Sequence, residues 1–222
     1  TAGVLPMFGF PTRVRSLFFH KSGAQSLEEV TVTDRPIDHA ISSFSPGAQI
    51  VKDKRIYTVC GYVFKIKSNF RGIEDDLDPL GKPIKLYRCS DIECGHTLIN
   101  ATDTCPNCGT ETFNFNMYQP KGFLSLRPED YDGKNRNRGS GLTSPVPAFT
   151  PNYQDEVGFG SLKIALSDSQ PIALINDNDK KLFDFKKYYN SRIVTDSNLY
   201  KDPLPDLMNS AQTIEQGAVG AM

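Results

Sequence analysis

Four cysteines constrain this chain more than any other feature. Cys89, Cys94, Cys105 and Cys108 stand as C-x4-C, a ten-residue spacer, then C-x2-C. Two short turns that each present two thiolates can close a tetrahedral shell around Zn²⁺. The second turn, Cys105-Pro106-Asn107-Cys108-Gly109, is the sharper one. Proline presets its bend and Gly109 accepts a positive φ, which frees backbone N–H groups to face the first sulfur. The first turn is looser, although Gly95 again follows its second cysteine. The competing readings are disulfides or four buried free thiols. Disulfides need an oxidising compartment, and no signal-peptide pattern is visible. A redox C-x2-C would want a βαβ context, which is missing. A zinc site made by Cys89, Cys94, Cys105 and Cys108 is therefore expected, with His96 as an alternative to one cysteine. Four thiolates leave no open position for substrate or water, so such zinc is structural. They also outweigh the cation's charge. Lys82, Lys85, Arg88 and His96 lie close enough in sequence to offset the excess, or to meet DNA phosphates. Cys60, inside an apolar run, reads as an ordinary buried thiol.

The flanks of the cysteines predict strands. Ile84 to Arg88 leads into the first turn, and residues 112–118 leave the second with clean alternation. Strand, knuckle, knuckle, strand is the layout of a zinc ribbon. Upstream, Pro36 suits a first helical position, and Ile37, Ala40, Ile41 and Phe44 follow helical spacing. Pro46-Gly47 stops that helix, and His39 falls on its surface. Residues 48–51 and 55–64 predict a hairpin across Lys52-Asp53-Lys54. Residues 65–83 read as charged and turn-rich. Their acidic run, Glu74 to Asp78, reads as a solvated loop. Leu162, Ile164 and Leu166 share one strand face. Residues 172–175 are expected to meet 182–185 across an Asn-Asp turn, which lacks the glycine and distal Glu of a calcium loop. Residues 208–216 read as a short helix. The expected fold class is mainly β with short helices (α+β), a β-rich body carrying an inserted four-cysteine zinc ribbon. The expected divisions are an extended connector at 1–33 and a short helix plus hairpin at 34–83. The zinc ribbon follows at 84–118, a β-rich segment with a basic loop at 119–187, and a C-terminal tail at 188–222.

Charge narrows the function classes. Lys and Arg number 25 against 26 Asp and Glu, a net charge of −1. Bulk electrostatic binding of nucleic acid is disfavoured, which leaves only a few placed cations. Arg13 and Arg15 share one face of an extended stretch. Lys134, Arg136 and Arg138 form a basic loop suited to phosphate contact. With Lys85 and Arg88, these are the candidate DNA contacts. Hydrophobic residues make up 38% of the chain, and its Gly 17 and Pro 15 oppose long helices. There is no GxxxxGKS/T loop, GxGxxG, HExxH or GxSxG, and the 3 His are far apart. No catalytic motif is present, and no apolar run reaches the roughly 20 residues of a membrane span. The start at Thr1 and the apolar opening stretch suggest a piece of something longer, and a cytoplasmic setting is expected.

Several segments together resemble a known family. Residues 3–15 (Gly3-Val4-Leu5-Pro6-Met7-Phe8-Gly9-Phe10-Pro11-Thr12-Arg13-Val14-Arg15), Arg35 to Ile41, and Ser45-Pro46-Gly47-Ala48-Gln49-Ile50-Val51 are similar to the C-terminal region of superfamily-two DNA helicases of the MrfA type. The same region occurs in helicase-associated proteins of phage-defence systems such as DISARM, notably the DrmB type. Lys121-Gly122-Phe123 and the stretch from Ile175 to Phe183 resemble its later part, so the likeness spans residues 3–187. The resemblance implies structural zinc on the four cysteines and ATP-driven motor domains, in cis or as a separate helicase subunit in trans. Motor motifs are absent from this chain, which argues against its having ATPase activity of its own. The expected function is an accessory module of a helicase system in DNA repair or antiphage defence, with DNA and the motor as partners. The alternative is a protein-interaction scaffold in a helicase complex without DNA contact.

Overall fold

The computed structural model describes residues 13–68, 70–134, 146–149, 155–159, 162–166, 172–187, 192–195, 212–213 and 216–222. The first half of the chain supplies β1 (Val14–Phe19), β2 (Thr31–Pro36), α1 (Ile37–Ser43), β3 (Gln49–Lys52), β4 (Arg55–Tyr62), β5 (Lys65–Ser68), β6 (Gly72–Asp75), β7 (Ile84–Cys89), β8 (Thr97–Leu98), β9 (Thr112–Tyr118), β10 (Gly122–Ser125) and β11 (Glu129–Asp130). The second half supplies β12 (Val146–Phe149), β13 (Asp155–Phe159), β14 (Leu162–Leu166), β15 (Ile172–Asn176), β16 (Lys186–Lys187), β17 (Ile193–Val194), β18 (Gln212–Thr213) and β19 (Gly217–Ala221). The fold is β-rich with one short α-helix among the described residues. Among the described residues no helix is long and apolar enough to cross a membrane.

Two sheets carry the architecture. The larger runs β18-β16-β17-β4-β10-β1-β2, with β3 and β11 flanking the other end of β4. The β3–β4 hairpin turns on Asp53 and Lys54, both left-handed at φ 52° and 59°. Two such residues match strand twist across a two-residue turn. β4 is the hub and is buried along most of its length. Gly61 on this strand is obligatory, because a Cβ there would stand 2.0 Å from the Ile193 carbonyl oxygen. The smaller sheet runs β12-β15-β19-β9-β7-β8. β19 lies parallel to β9, so the end of the chain completes the sheet that carries the cysteine turns.

Helix α1 forms where its apolar spacing predicts. Ile37, Ala40, Ile41 and Phe44 are buried, and His39 is on the surface. They join Leu17, Val32, Tyr62, Phe123, Phe185 and Val219 in the main core. Edge-to-face rings at Phe44–Phe123 (5.3 Å) and Tyr118–Phe185 (5.2 Å) suit the quadrupole preference of aromatic pairs. A second cluster, with Leu86, Phe115, Met117, Ile175 and Ala218, packs one face of the smaller sheet.

The structure departs from the sequence reading in three places. Residues 172–175 do not pair with 182–185: β15 lies between β12 and β19, while Phe183 bridges Gly217. The intervening turn has Asn178, Asp179, Lys180 and Leu182 at positive φ, and curls in place rather than returning the chain alongside β15. Residues 65–83 contain the hairpin β5–β6, whose Lys65 and Asp75 are register partners and an ion pair at 3.1 Å. Its polar sequence hid it, because an ion pair rather than apolar alternation holds it. Of the helix expected at 208–216, residues 212–213 are strand β18, and most of the rest lies outside the described residues. Within the stretch expected to be extended, Val14–Phe19 is a strand between β2 and β10 with Leu17 fully buried, and β19 is buried throughout.

Candidate metal centre

β7 and β9 form the base of the site. Their antiparallel register runs from Ile84↔Met117 to Cys89↔Thr112. Cys89 is therefore the last residue of one strand, next to the start of the other. The first turn is closed by the Cys89 amide donating to the His96 carbonyl (3.0 Å) and the Gly95 amide donating to the Asp91 carbonyl (2.9 Å). The Asp91 carboxylate accepts from the Glu93 amide at 2.9 Å, an Asx turn. The second turn is closed by the Cys105 amide on Thr110 and the Gly109 amide on Cys105, each at 2.8 Å. Gly95 (φ +55°) and Gly109 (φ +76°) take the left-handed conformation that both turns require.

All four Sγ atoms lie within 4.8 Å of one another. Cys89 and Cys108 are 3.3 Å apart and Cys94 and Cys105 are 3.8 Å apart, so each close pair joins the two turns. A tetrahedral ion with sulfurs at about 2.3 Å spaces them by roughly 3.8 Å. The donor set thus fits a closed four-thiolate site. The separations are far beyond a disulfide bond of about 2.05 Å, and all five cysteines are free, which rejects the disulfide reading. Cys60 lies apart, buried, with its Sγ on the Leu124 carbonyl. His96 is not a member of the cluster, and its backbone carbonyl closes the first turn.

The thiols differ electrostatically. Hydrogen bonding with Thr110 lowers the Cys108 thiol to about 6. Burial, followed by hydrogen bonding with Cys108, raises Cys89 to about 12. The Asn107 side-chain amide donates to Cys94 Sγ at 3.4 Å. Metal binding requires thiolates, so such donors favour the ligating form.

The expected DNA contacts attach to separate elements. Arg13 is exposed and its guanidinium donates to the Met222 carbonyl. Arg15 is half-buried, with Nε on the Pro120 carbonyl at 2.6 Å. Lys85 is exposed on β7, and Lys134 is exposed beyond β11. Arg136 and Arg138 lie outside the described residues. Arg88 is a correction. It points inward at 6% exposure, pairs with Asp177 at 2.5 Å, donates to Thr97 and stacks over Phe115 at 4.7 Å. It cannot reach a phosphate from there.

Asp177, Thr97, Phe115 and Lys180 were not legible as parts of this site. Asp177 also accepts the Lys180 amide at 3.1 Å, and Lys180 Nζ donates to the Ile92 carbonyl at 2.9 Å. The turn after β15 thereby grips the first cysteine turn and brings it a cation. The only hint in the sequence was the run of Asn and Asp at 176–179, which marks a turn but not its partner.

No family model matches the chain, and no solved structure matches it. It is similar to the Druantia protein DruE of Escherichia coli, at 30% identity over 128 residues. That alignment covers 54% of this chain and 7% of the relative, so the matched segment spans less than a tenth of that protein's length.

Proposed function

We propose that this chain is a zinc-binding module of a bacterial antiphage-defence protein, in which the segment 84–118 is a zinc ribbon. The observation that carries the reading is the convergence of four thiols at tetrahedral spacing on two glycine-closed turns. Zinc here is structural: it ties the two turns together and performs no step on a substrate. The likeness to a Druantia protein supports the defence branch of the resemblance over DNA repair. The module packs on ATP-driven helicase motor domains, in cis or in trans, and supports their engagement of DNA. Arg13, Arg15, Lys85, Lys134, Arg136 and Arg138 are its proposed phosphate contacts.

Two measurements test this. Metal analysis of protein purified without chelator should find one zinc per chain, and chelation should unfold 84–118. Protein without zinc would sink the central claim. DNA affinity measured against salt should give a slope that falls when Lys134, Arg136 and Arg138 are reversed to Glu. An unchanged slope removes that loop. A scaffold without DNA contact is the second reading. The inward turn of Arg88 and the exposure of Ile92 (74%) and Phe113 (44%) around the cysteines favour it. It predicts negligible DNA affinity at modest ionic strength.

A further inference from the structure

A cavity of about 590 Å³ opens between the segment after β1 and the β5–β6 hairpin, away from the cysteine cluster. Its walls carry Lys21, Lys65, Arg71 and Arg192 against Glu74 and Asp75, with His20 beside them. Two of these cations are deeply placed: Lys65 is 8% exposed and Arg192 is 9% exposed. Both reach the same carboxylate, Lys65 at 3.1 Å from one Asp75 oxygen and Arg192 at 3.5 Å from the other. Buried cations are costly unless anions compensate them, and the Asp75 carboxylate answers both of these from one side of the cavity. Arg192 also lies 2.9 Å from His20 Nδ1. A guanidinium only donates, so Nδ1 accepts and the ring carries its proton on Nε2. The shape is built in. Gly72 takes φ +82°, and its Cβ position lies 3.4 Å from the Ala24 carbonyl, so the hairpin sits close against the opposite wall. At the hairpin's tip, Phe70 is 98% exposed and immediately precedes Arg71.

We propose that this cavity binds an unpaired nucleotide, with its phosphate among Lys65, Arg71 and Arg192 and its base on the Phe70 ring. Guanidinium and ammonium groups suit phosphate oxygens, and the exposed ring of the residue preceding Arg71 offers the kind of stacking face that single strands use. None of the cysteines lines the cavity, so the proposal stands or falls independently of zinc.

The test uses the purified chain and a fluorescent oligothymidylate, read by anisotropy at fixed ionic strength. Phe70 and Arg71 are exposed, so Phe70→Ala and Arg71→Ala should retain the wild-type circular dichroism. Each should weaken binding by about tenfold, whereas Lys181→Ala, at an exposed lysine outside the cavity, should leave it unchanged. Competition separates the two sources of the nucleotide. Displacement by unlabelled oligothymidylate but not by thymidine monophosphate assigns a strand. Displacement by both, or direct binding of the mononucleotide alone, assigns a free nucleotide. Wild-type affinity in both variants for every probe overturns the proposal. So does phosphate binding that Phe70→Ala leaves unchanged, because the ring then has no part in it.

Discussion

Replacing Asp177 with alanine should be among the most damaging single changes outside the cysteines. The Arg88–Asp177 pair is enclosed, with side-chain exposures of 7% and 5%. Removing the carboxylate leaves a guanidinium in a site that water barely reaches. Breaking one side of such a pair costs about 3–5 kcal/mol. The Thr97 hydroxyl at 3.2 Å and the Phe115 ring at 4.7 Å still contact Arg88, which favours the lower end of that range. The alanine also loses the acceptor of the Lys180 amide, worth about 1 kcal/mol, which returns the expectation to the middle. Unfolding entropy of about 2.1 cal/mol/K per residue, taken over 222 residues, makes each kcal/mol equivalent to about 2 °C. The melting temperature should fall by about 6–10 °C. Urea unfolding at fixed zinc concentration measures the free energy directly. The double variant Arg88→Met with Asp177→Leu should recover at least about 2 kcal/mol of that loss, because no bare charge remains. A cost below about 1 kcal/mol for Asp177→Ala, or a double variant as unstable as the two singles added, would refute the reasoning.

Further tests address separate links. Gly61→Ala drives a methyl into the Ile193 carbonyl oxygen on a neighbouring strand; it should destabilise by roughly 3 kcal/mol or more, read by chemical denaturation. Zinc affinity should weaken as pH falls from 8 to 5, since Cys89 must lose its proton to ligate and acid opposes that; competition with a chelator at each pH measures it. The Lys121 ammonium holds the Asp76 carboxyl below its ordinary value. That stabilisation is present above the unfolded value of about 3.9 and is lost as pH falls through the lower folded value. Asp76→Asn should therefore cost under about 1 kcal/mol near neutrality and nothing once the carboxyl is protonated, read by melting across the acid range.

Local pattern was a good guide wherever a residue's neighbours in sequence are also its neighbours in space. The Asp53-Lys54 hairpin, the apolar stripe of α1 and the strands either side of the cysteines belong to this class. It failed where the deciding contact came from far along the chain. Residues 172–175 have the composition of a hairpin arm, yet β12 and β19 compete for their edges and win. Lys65 to Ser68 lacks an apolar face, yet a buried pair with Asp75 makes it a strand.

By itself, then, the sequence determined the donor set of the candidate metal site: four thiols, their spacing, and glycines where the turns need positive φ. These are short-range properties of covalent geometry and residue type. Only the tertiary structure decided what surrounds that site. It turned Arg88 inward onto an aspartate 89 positions away. It set Lys180 over the first turn, laid β19 beside β9, and gathered Lys65 of β5, Arg71 and Arg192 around one cavity. A β-strand's two open edges carry the same hydrogen-bonding groups whatever the sequence. Which partner fills them is settled by the whole core, where apolar faces and paired charges are satisfied together.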